Sequence, residues 1–438
     1  MTEIMPVPRN LILLSYQQGR SGPFFFPFGE KSLIIHVMQY RNGKHGEKLS
    51  ILGFGCMRFT RSGSSIDIAK AEKEILEAFN SGVNYYDTAY IYPGSEAALG
   101  EILERNRIRD NVYIATKLPQ YMISSRQAID KYFNEELSRL RTNRVDFYLM
   151  HHLTDIAQWQ RLKDVGILQW IEDKKASGEV KNIGFSYHGN SDNFLKILND
   201  YDWDFCQIQY NYLDENSQAG VIGLKAAAEK GIPVIIMEPL RGGKLVNLLP
   251  ESAKQAIKTN SRGWTAAQWG LRWLYNQEEV TVVLSGMNST EMVLENVKTA
   301  SNATAGHFTD EDFAFIETLK KEINAHEKIG CTGCRYCMPC PKGVDIPGIF
   351  RCWNTMYTES KKNGRSQYVQ TVALTKEPSF VTQCIECGKC EKHCPQSLPI
   401  RQKLKEADKD LRPLPYKIAI AVGRKYMMRQ ARDKNKVS

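Results

Sequence analysis

The stretch Ile68–Thr88, IAKAEKEILEAFNSGVNYYDT, decides the fold. Its first part, Ile68–Ser81, spreads apolar residues at the spacing of one helix face. Its second part, Val83–Thr88, is a short apolar run closing on Asp87, the length and bias of a buried strand. The same alternation recurs along the chain. Further apolar runs are Leu49–Cys56, Val112–Lys117, Asp146–Leu153, Asn182–Tyr187, Phe205–Tyr210, Pro233–Pro239 and Thr281–Met287, with amphipathic stretches such as Gln127–Leu140 between them. Strands alternating with helices form parallel sheets through crossover helices. Eight such units close a (β/α)8 TIM barrel of about 250 residues. The rival, a doubly wound sheet, calls for a glycine-rich turn after its first strand, and Gly53-Phe54-Gly55 lacks the third glycine.

Composition narrows the class. The chain has 438 residues, 42% hydrophobic and 24% charged, which is ordinary globular usage. No apolar run approaches the length of about 18 residues that a membrane-spanning helix needs. The net charge of +9 is local. Residues 401–438 hold 12 Lys and Arg against 4 Asp and Glu, and the rest holds 46 against 45. A body that balanced argues against nucleic-acid binding. The basic end reads as a helical tail that docks on its own chain or meets an acidic electron-transfer partner or a membrane surface. Residues 1–37 show neither helical nor strand period and read as a disordered or misannotated extension, with Met38 as the natural start.

Nine of the 11 cysteines lie at or beyond Cys331. A cysteine-poor body with a cysteine-rich end suits a reducing, cytoplasmic setting and a metal-binding module. Cys384, Cys387, Cys390 and Cys394-Pro395 follow the C-x2-C-x2-C-x3-C-P run of bacterial ferredoxins. Cys331, Cys334, Cys337 and Cys340-Pro341 form a second run, one residue shorter before its last cysteine. In two-cluster ferredoxins the last cysteine of each run ligates the other cluster. By that rule Cys331, Cys334, Cys337 and Cys394 hold one [4Fe–4S] cluster, and Cys384, Cys387, Cys390 and Cys340 hold another. Structural zinc is the competing reading of paired C-x2-C units. Helical stretches at Ile346–Met356 and Ser366–Ala373 separate the runs, giving a small helical ferredoxin-like domain. The expected organisation is an extension at 1–37, a barrel over 38–322, an iron–sulfur domain over 323–405 and a basic tail over 406–438.

Barrel chemistry gathers at the C-terminal ends of the strands. There the sequence places Asp87, Lys117 and His151, with Tyr92 in the loop five residues beyond Asp87. Asp87 keeps Lys117 charged, and Lys117 lowers the Tyr92 pKa. Tyr92 then acts as general acid while His151 holds a substrate carbonyl. Arg241-Gly242-Gly243-Lys244, after the seventh run, offers backbone N–H groups to a pyrophosphate.

Gly53-Phe-Gly-Cys-Met-Arg58, Asn84-Tyr-Tyr-Asp-Thr-Ala-Tyr-Ile-Tyr92, Ala115-Thr-Lys117 and Val145-Asp-Phe-Tyr-Leu-Met-His151 resemble the aldo/keto reductases over roughly 40–310. The segment 325–405 is similar to the ferredoxin-like extension of an iron–sulfur subgroup of that family. The resemblance implies a barrel that binds NADPH or NADH without a Rossmann domain. It implies that Asp87, Tyr92, Lys117 and His151 form the catalytic tetrad. It further implies that Ser186 and Gln207 hold the nicotinamide, that Ser285 and Gly286 belong to the phosphate loop, and that Glu295 and Asn296 meet the adenine. Tyr187 stands where the family usually has Asn, and Met237 where it has an aromatic residue.

Hydride carries two electrons and a cluster takes one, so a flavin enters as a candidate go-between. The expected activity is NAD(P)H-linked reduction of a small carbonyl substrate, with the clusters linking the enzyme to a ferredoxin-like partner. Two alternatives stand beside it. One is an electron-transfer or redox-sensing protein whose barrel is not a reductase. The other is an ordinary reductase with structural clusters.

Overall fold

The computed structural model describes residues 37–434, apart from 190, 216–217, 326, 332, 334–336, 375–377 and 395–397; side chains at 370–371 and beyond 425 are likewise not described. The expected extension at 1–37 therefore lies almost wholly outside the described residues.

Eight parallel strands close a barrel in unbroken chain order. They are β1 (Leu52–Gly55), β2 (Tyr85–Asp87), β3 (Tyr113–Leu118), β4 (Val145–Leu153), β5 (Val180–Tyr187), β6 (Phe205–Gln209), β7 (Val234–Met237) and β8 (Val280–Ser285). All eight expected strands are present, with ends shifted by up to three residues; β3, β4, β5 and β8 each reach a residue or two beyond the expected bounds at one end. The stretch Ile68–Asn80 is a helix capped by the Asp67 side chain, which accepts a hydrogen bond from Lys70 N. Arg126–Leu140 is likewise helical, capped by Ser125. The closed ring excludes the doubly wound sheet.

The two-residue period of the strands carries the site. Tyr85, Ala115, Phe147, Leu149, Phe205, Ile235, Val282 and Leu284 share one buried cluster. One pleat further along, the same inward faces carry Asp87, Lys117, His151 and Gln207. Gly53 and Gly184 are required by this packing. A Cβ on Gly53 would lie 2.8 Å from Leu284 and Val282, and one on Gly184 would lie 2.6 Å from Phe205. A hairpin of Tyr40–Asn42 and Lys48–Ser50 sends Leu49 into the same cluster. Helices pack outside the ring through a second apolar layer that includes Trp159, Trp170 and Trp269.

Beyond helix Asp310–Asn324 comes the expected helical module. Its core joins Ile346, Ile349, Phe350, Cys352, Trp353, Tyr368, Leu404, Leu411 and Ile420. Helix Ile346–Thr358 is as expected. The second expected helix begins earlier, at Lys361, because Ser360 caps it, and Val369–Ala373 continue as a π-turn. The tail boundary at 405/406 falls inside helix Ile400–Leu411, whose Leu404, Ala407 and Leu411 are buried on one face. Helix Leu414–Lys434 docks back on the module. Ile420 enters its core and Arg424 Nη1 donates to Ala373 O at 2.9 Å. Among the described residues no helix is long and apolar enough to cross a membrane.

Candidate active site

At the mouth of the barrel, Lys117 Nζ donates to Asp87 Oδ1 and to Thr88 O, each at 2.6 Å. Lys117 is 1% exposed and Asp87 4%. Gln207 Nε2 donates to the other Asp87 oxygen at 2.8 Å. Both carboxylate oxygens are thereby held, and the ammonium has an opposite charge within contact distance. Burial pulls the Lys117 pKa down, Asp87 pushes it up, and the net direction is up.

Tyr92 stands over this pair. Lys117 Nζ lies 5.2 Å from its ring centroid, and the Tyr92 and His151 rings meet edge to face at 6.1 Å. The four expected residues are thus brought together. One expectation is corrected. Lys117 does favour the Tyr92 phenolate, but burial is the larger influence and the phenol pKa lies above its ordinary value. The desolvated ring outweighs the cation because Asp87 cancels part of the charge.

His151 is held neutral. Burial, then Lys117 and the neighbouring His152 and His188, take its pKa down to about 2. Its Nδ1 is buried with no hydrogen-bond partner among the described residues. An imidazole that is neutral, buried and unsatisfied beside a phenol is available to a ligand oxygen. Ser186 does something the sequence did not disclose: its Oγ accepts from His152 N at 2.8 Å, where His152 adopts φ 60°. It thereby fixes the irregularity in β4 between Met150 and Leu153.

The remaining positions fall in two groups. Asn296 Nδ2 donates to Ser285 Oγ at 3.0 Å, and Gly286 lies so close to Arg58 that a Cβ would sit 3.0 Å from its Cδ. Glu295 accepts from Thr265 Oγ1 at 2.8 Å. Arg241, in contrast, is committed. Its Nε and Nη2 reach the two Asp214 oxygens at 2.9 and 2.6 Å. Lys244 pairs with Glu359 of the cysteine-rich module at 2.9 Å. The Arg241–Lys244 turn therefore spends both its cations on carboxylates, Arg241 within the barrel and Lys244 across to the module, while the backbone N–H groups expected to meet a pyrophosphate are a separate matter from these side chains.

A cleft of about 1280 Å3 opens between these parts. Its barrel wall includes Arg58, His188, Gln209, Tyr212, Glu238 and Arg241, and its opposite wall includes Arg351, Asn354, Glu359 and Cys331. Arg58, Glu238 and Asp214 were not singled out as site residues in the sequence. Glu238 follows the end of β7 directly, so the strand-end rule that found Lys117 would have found it too. Ligand pockets usually span about 300–1,000 Å3, so this cleft has room for a dinucleotide.

A separate cavity of about 330 Å3 is lined by Cys337, Cys340, Cys384, Cys387 and Cys390. Five thiols from two distant runs meet there, the donor type iron–sulfur centres require. Cys394 is partly buried against the module core, Cys331 faces the cleft, and Cys334 lies outside the described residues.

Comparison with known proteins agrees with this layout. The model of the aldo/keto reductase family matches residues 51–321, and that of a 4Fe-4S dicluster domain matches residues 330–398. L-galactose dehydrogenase of Arabidopsis thaliana is 25% identical over 301 residues, covering 64% of this chain and 93% of that protein. L-glyceraldehyde 3-phosphate reductase of Escherichia coli O157:H7 is 25% identical over 328 residues, covering 64% and 92%. The holo form of aldo-keto reductase AKR11C1 from Bacillus halodurans superposes with a TM-score of 0.54 at 24% identity, over 64% of this chain and 96% of that one. An aldo/keto reductase from Klebsiella pneumoniae in complex with NADP and acetate gives 0.53 at 20% identity, over 65% and 96%.

Proposed function

This chain belongs to the aldo/keto reductase family, and we propose that it is a nicotinamide-dependent carbonyl reductase coupled to two [4Fe–4S] centres. The observation that carries the reading is the Asp87–Lys117–Tyr92 cluster beside a neutral His151 at the barrel mouth.

A bound NADPH or NADH supplies hydride to the carbonyl carbon. The chain's own residues handle the proton and the oxygen. His151, uncharged, donates a hydrogen bond to the carbonyl oxygen and fixes its position. The Tyr92 hydroxyl gives its proton to that oxygen as charge develops there. Lys117 stabilises the phenolate left behind, and Asp87 keeps Lys117 charged and aimed. Burial keeps Tyr92 protonated at neutral pH, the form the reduction consumes. In the reverse direction the same cluster accepts the alcohol proton.

The cleft with Arg58, Gln209 and Tyr212 fits the nicotinamide half of the cofactor, and Ser285, Gly286, Glu295 and Asn296 fit the phosphate and adenine half. That a neighbour of the same fold was solved with NADP supports a nicotinamide cofactor here. The named relatives act on small hydroxylated carbonyls or their alcohols, which supports a small polar carbonyl substrate.

For the clusters, Cys340, Cys384, Cys387 and Cys390 would hold one and Cys331, Cys334, Cys337 and Cys394 the other; when bound they carry one electron each. Cys331 faces the same cleft as Arg241 and Glu238, and that favours coupling over a purely structural role. A flavin in the cleft is the group that would divide a hydride's two electrons between them. Tyr92→Phe tests the reading. It reduces carbonyl turnover steeply if the barrel is a reductase; a wild type that turns over no carbonyl, with cluster reduction the same in Tyr92→Phe, would mean that it is not.

A further inference from the structure

The described cysteines open onto two separate spaces. Cys331 lines the cleft beside the barrel rim, whereas Cys337, Cys340, Cys384, Cys387 and Cys390 line a cavity that shares no lining residue with it. The cavity set meets solvent through Cys387, which is exposed. The loop carrying it turns through left-handed residues at Glu386 (φ 57°) and Gly388 (φ 72°). That turn leaves Ile385 58% exposed beside the cysteines. A single exposed aliphatic residue is unremarkable on a protein surface. Its place next to a solvent-facing thiol of a redox centre is not.

The charge around it has one sign. Glu386 is neutralised by Lys405 and Glu391 by Arg401, each at 2.7 Å. Lys389 and Lys392, on the short helix Lys389–Lys392, hold no carboxylate within ion-pair distance among the described residues, and neither does Lys342 beside Cys340-Pro341. The surplus on this face is positive, with an apolar side chain at its centre. We propose that the face of Ile385, Cys387, Lys389 and Lys392 is the docking site of a small acidic one-electron carrier protein of the ferredoxin type. The Cys331 set is then the inner end of the path and the Cys387 set its outer end. This rests on the two-cluster reading above. The exchange moves one electron. The reduced outer centre returns to its oxidised level, the carrier is reduced by one, and no bond or proton changes hands.

The test uses the full chain, purified anaerobically, with iron and sulfide measured first. Stopped-flow electron exchange is then followed with an acidic bacterial ferredoxin and, separately, with methyl viologen. The proposal predicts a ferredoxin rate that falls steeply with salt. It predicts a loss of at least about tenfold in Lys389→Glu/Lys392→Glu at low ionic strength. Methyl viologen exchange and iron content hold in the same variant. Titration calorimetry with the same ferredoxin shows a parallel loss of binding. An unchanged ferredoxin rate in the variant, a salt-independent rate, or an iron-replete wild type that ignores ferredoxin overturns the docking site alone. A chain without iron overturns the cluster reading and this proposal together.

Discussion

Asp87 and Lys117 form a buried ion pair at 2.6 Å in which neither group is spare: Gln207 takes the second carboxylate oxygen and Thr88 O takes a second ammonium proton. Buried pairs of this kind contribute little net stability, but removing one partner strands the other. Asp87→Asn therefore leaves a buried cation with only neutral partners. It should cost about 3–5 kcal/mol, read as a lowered urea midpoint. Lys117→Met strands Asp87 in the same way. It also removes the cation beside Tyr92, so the phenol pKa rises further. The alkaline limb of alcohol oxidation then moves to higher pH than in the wild type.

Tyr92→Phe should reduce carbonyl turnover by about 10²–10⁴-fold, the range of a lost general acid. Circular dichroism and iron content should not change, since the substitution removes one hydroxyl and keeps the ring in place. The wild-type reduction should stay flat through neutral pH and fall only as Tyr92 deprotonates above its ordinary value. The fall comes on the alkaline side because the reduction consumes the protonated phenol.

His151 and His188 make the barrel mouth sensitive to acid. Burial takes the His188 pKa down to about 4 and that of His151 to about 2, from 6.5. The unfolded chain binds those protons first, so stability is lost as pH falls below about 6.5 and continues to fall toward 4. Thermal unfolding of His188→Gln should show a shallower drop between pH 6.5 and 4 than wild type. Equal slopes would show that His188 is solvated in the native state.

Lys244→Ala leaves Glu359 with one oxygen unpartnered and the other newly so. Glu359 belongs to the cysteine-rich module and is largely buried. The loss should be about 1–3 kcal/mol, concentrated in the seam between module and barrel. Faster limited proteolysis between residues 325 and 345, with the barrel intact, is the expected signature.

Much of this was legible along the chain. The strands announced themselves because apolar runs of six to eight residues alternate with helical spacing, and Ile68–Thr88 displays both periods in one stretch. Asp87, Lys117 and His151 were legible because strand ends fix where side chains point. What stayed hidden is what depends on distant partners. Nothing local in Arg241-Gly-Gly-Lys244 announces that Asp214 and Glu359 take its two cations. Nothing in Ser186 announces that it ties down the His152 backbone. The net direction of the Tyr92 pKa was missed for a related reason. The Lys117 contribution follows from sequence neighbours on the strands, but burial is a property of the closed mouth. The tail divides in the same way: its helical period is visible, while the docking of Ile420 and Arg424 depends on the module they meet.

The central claim joins a reductase barrel to two iron–sulfur centres, and one measurement addresses both halves. The full chain is purified anaerobically, assayed for iron and sulfide, and followed by visible absorbance and EPR before and after NADH or NADPH is added. The account predicts about eight iron per chain, as two [4Fe–4S] centres require, with bleaching when nucleotide is added. Zinc in place of iron, or eight iron that no nucleotide bleaches, would contradict it.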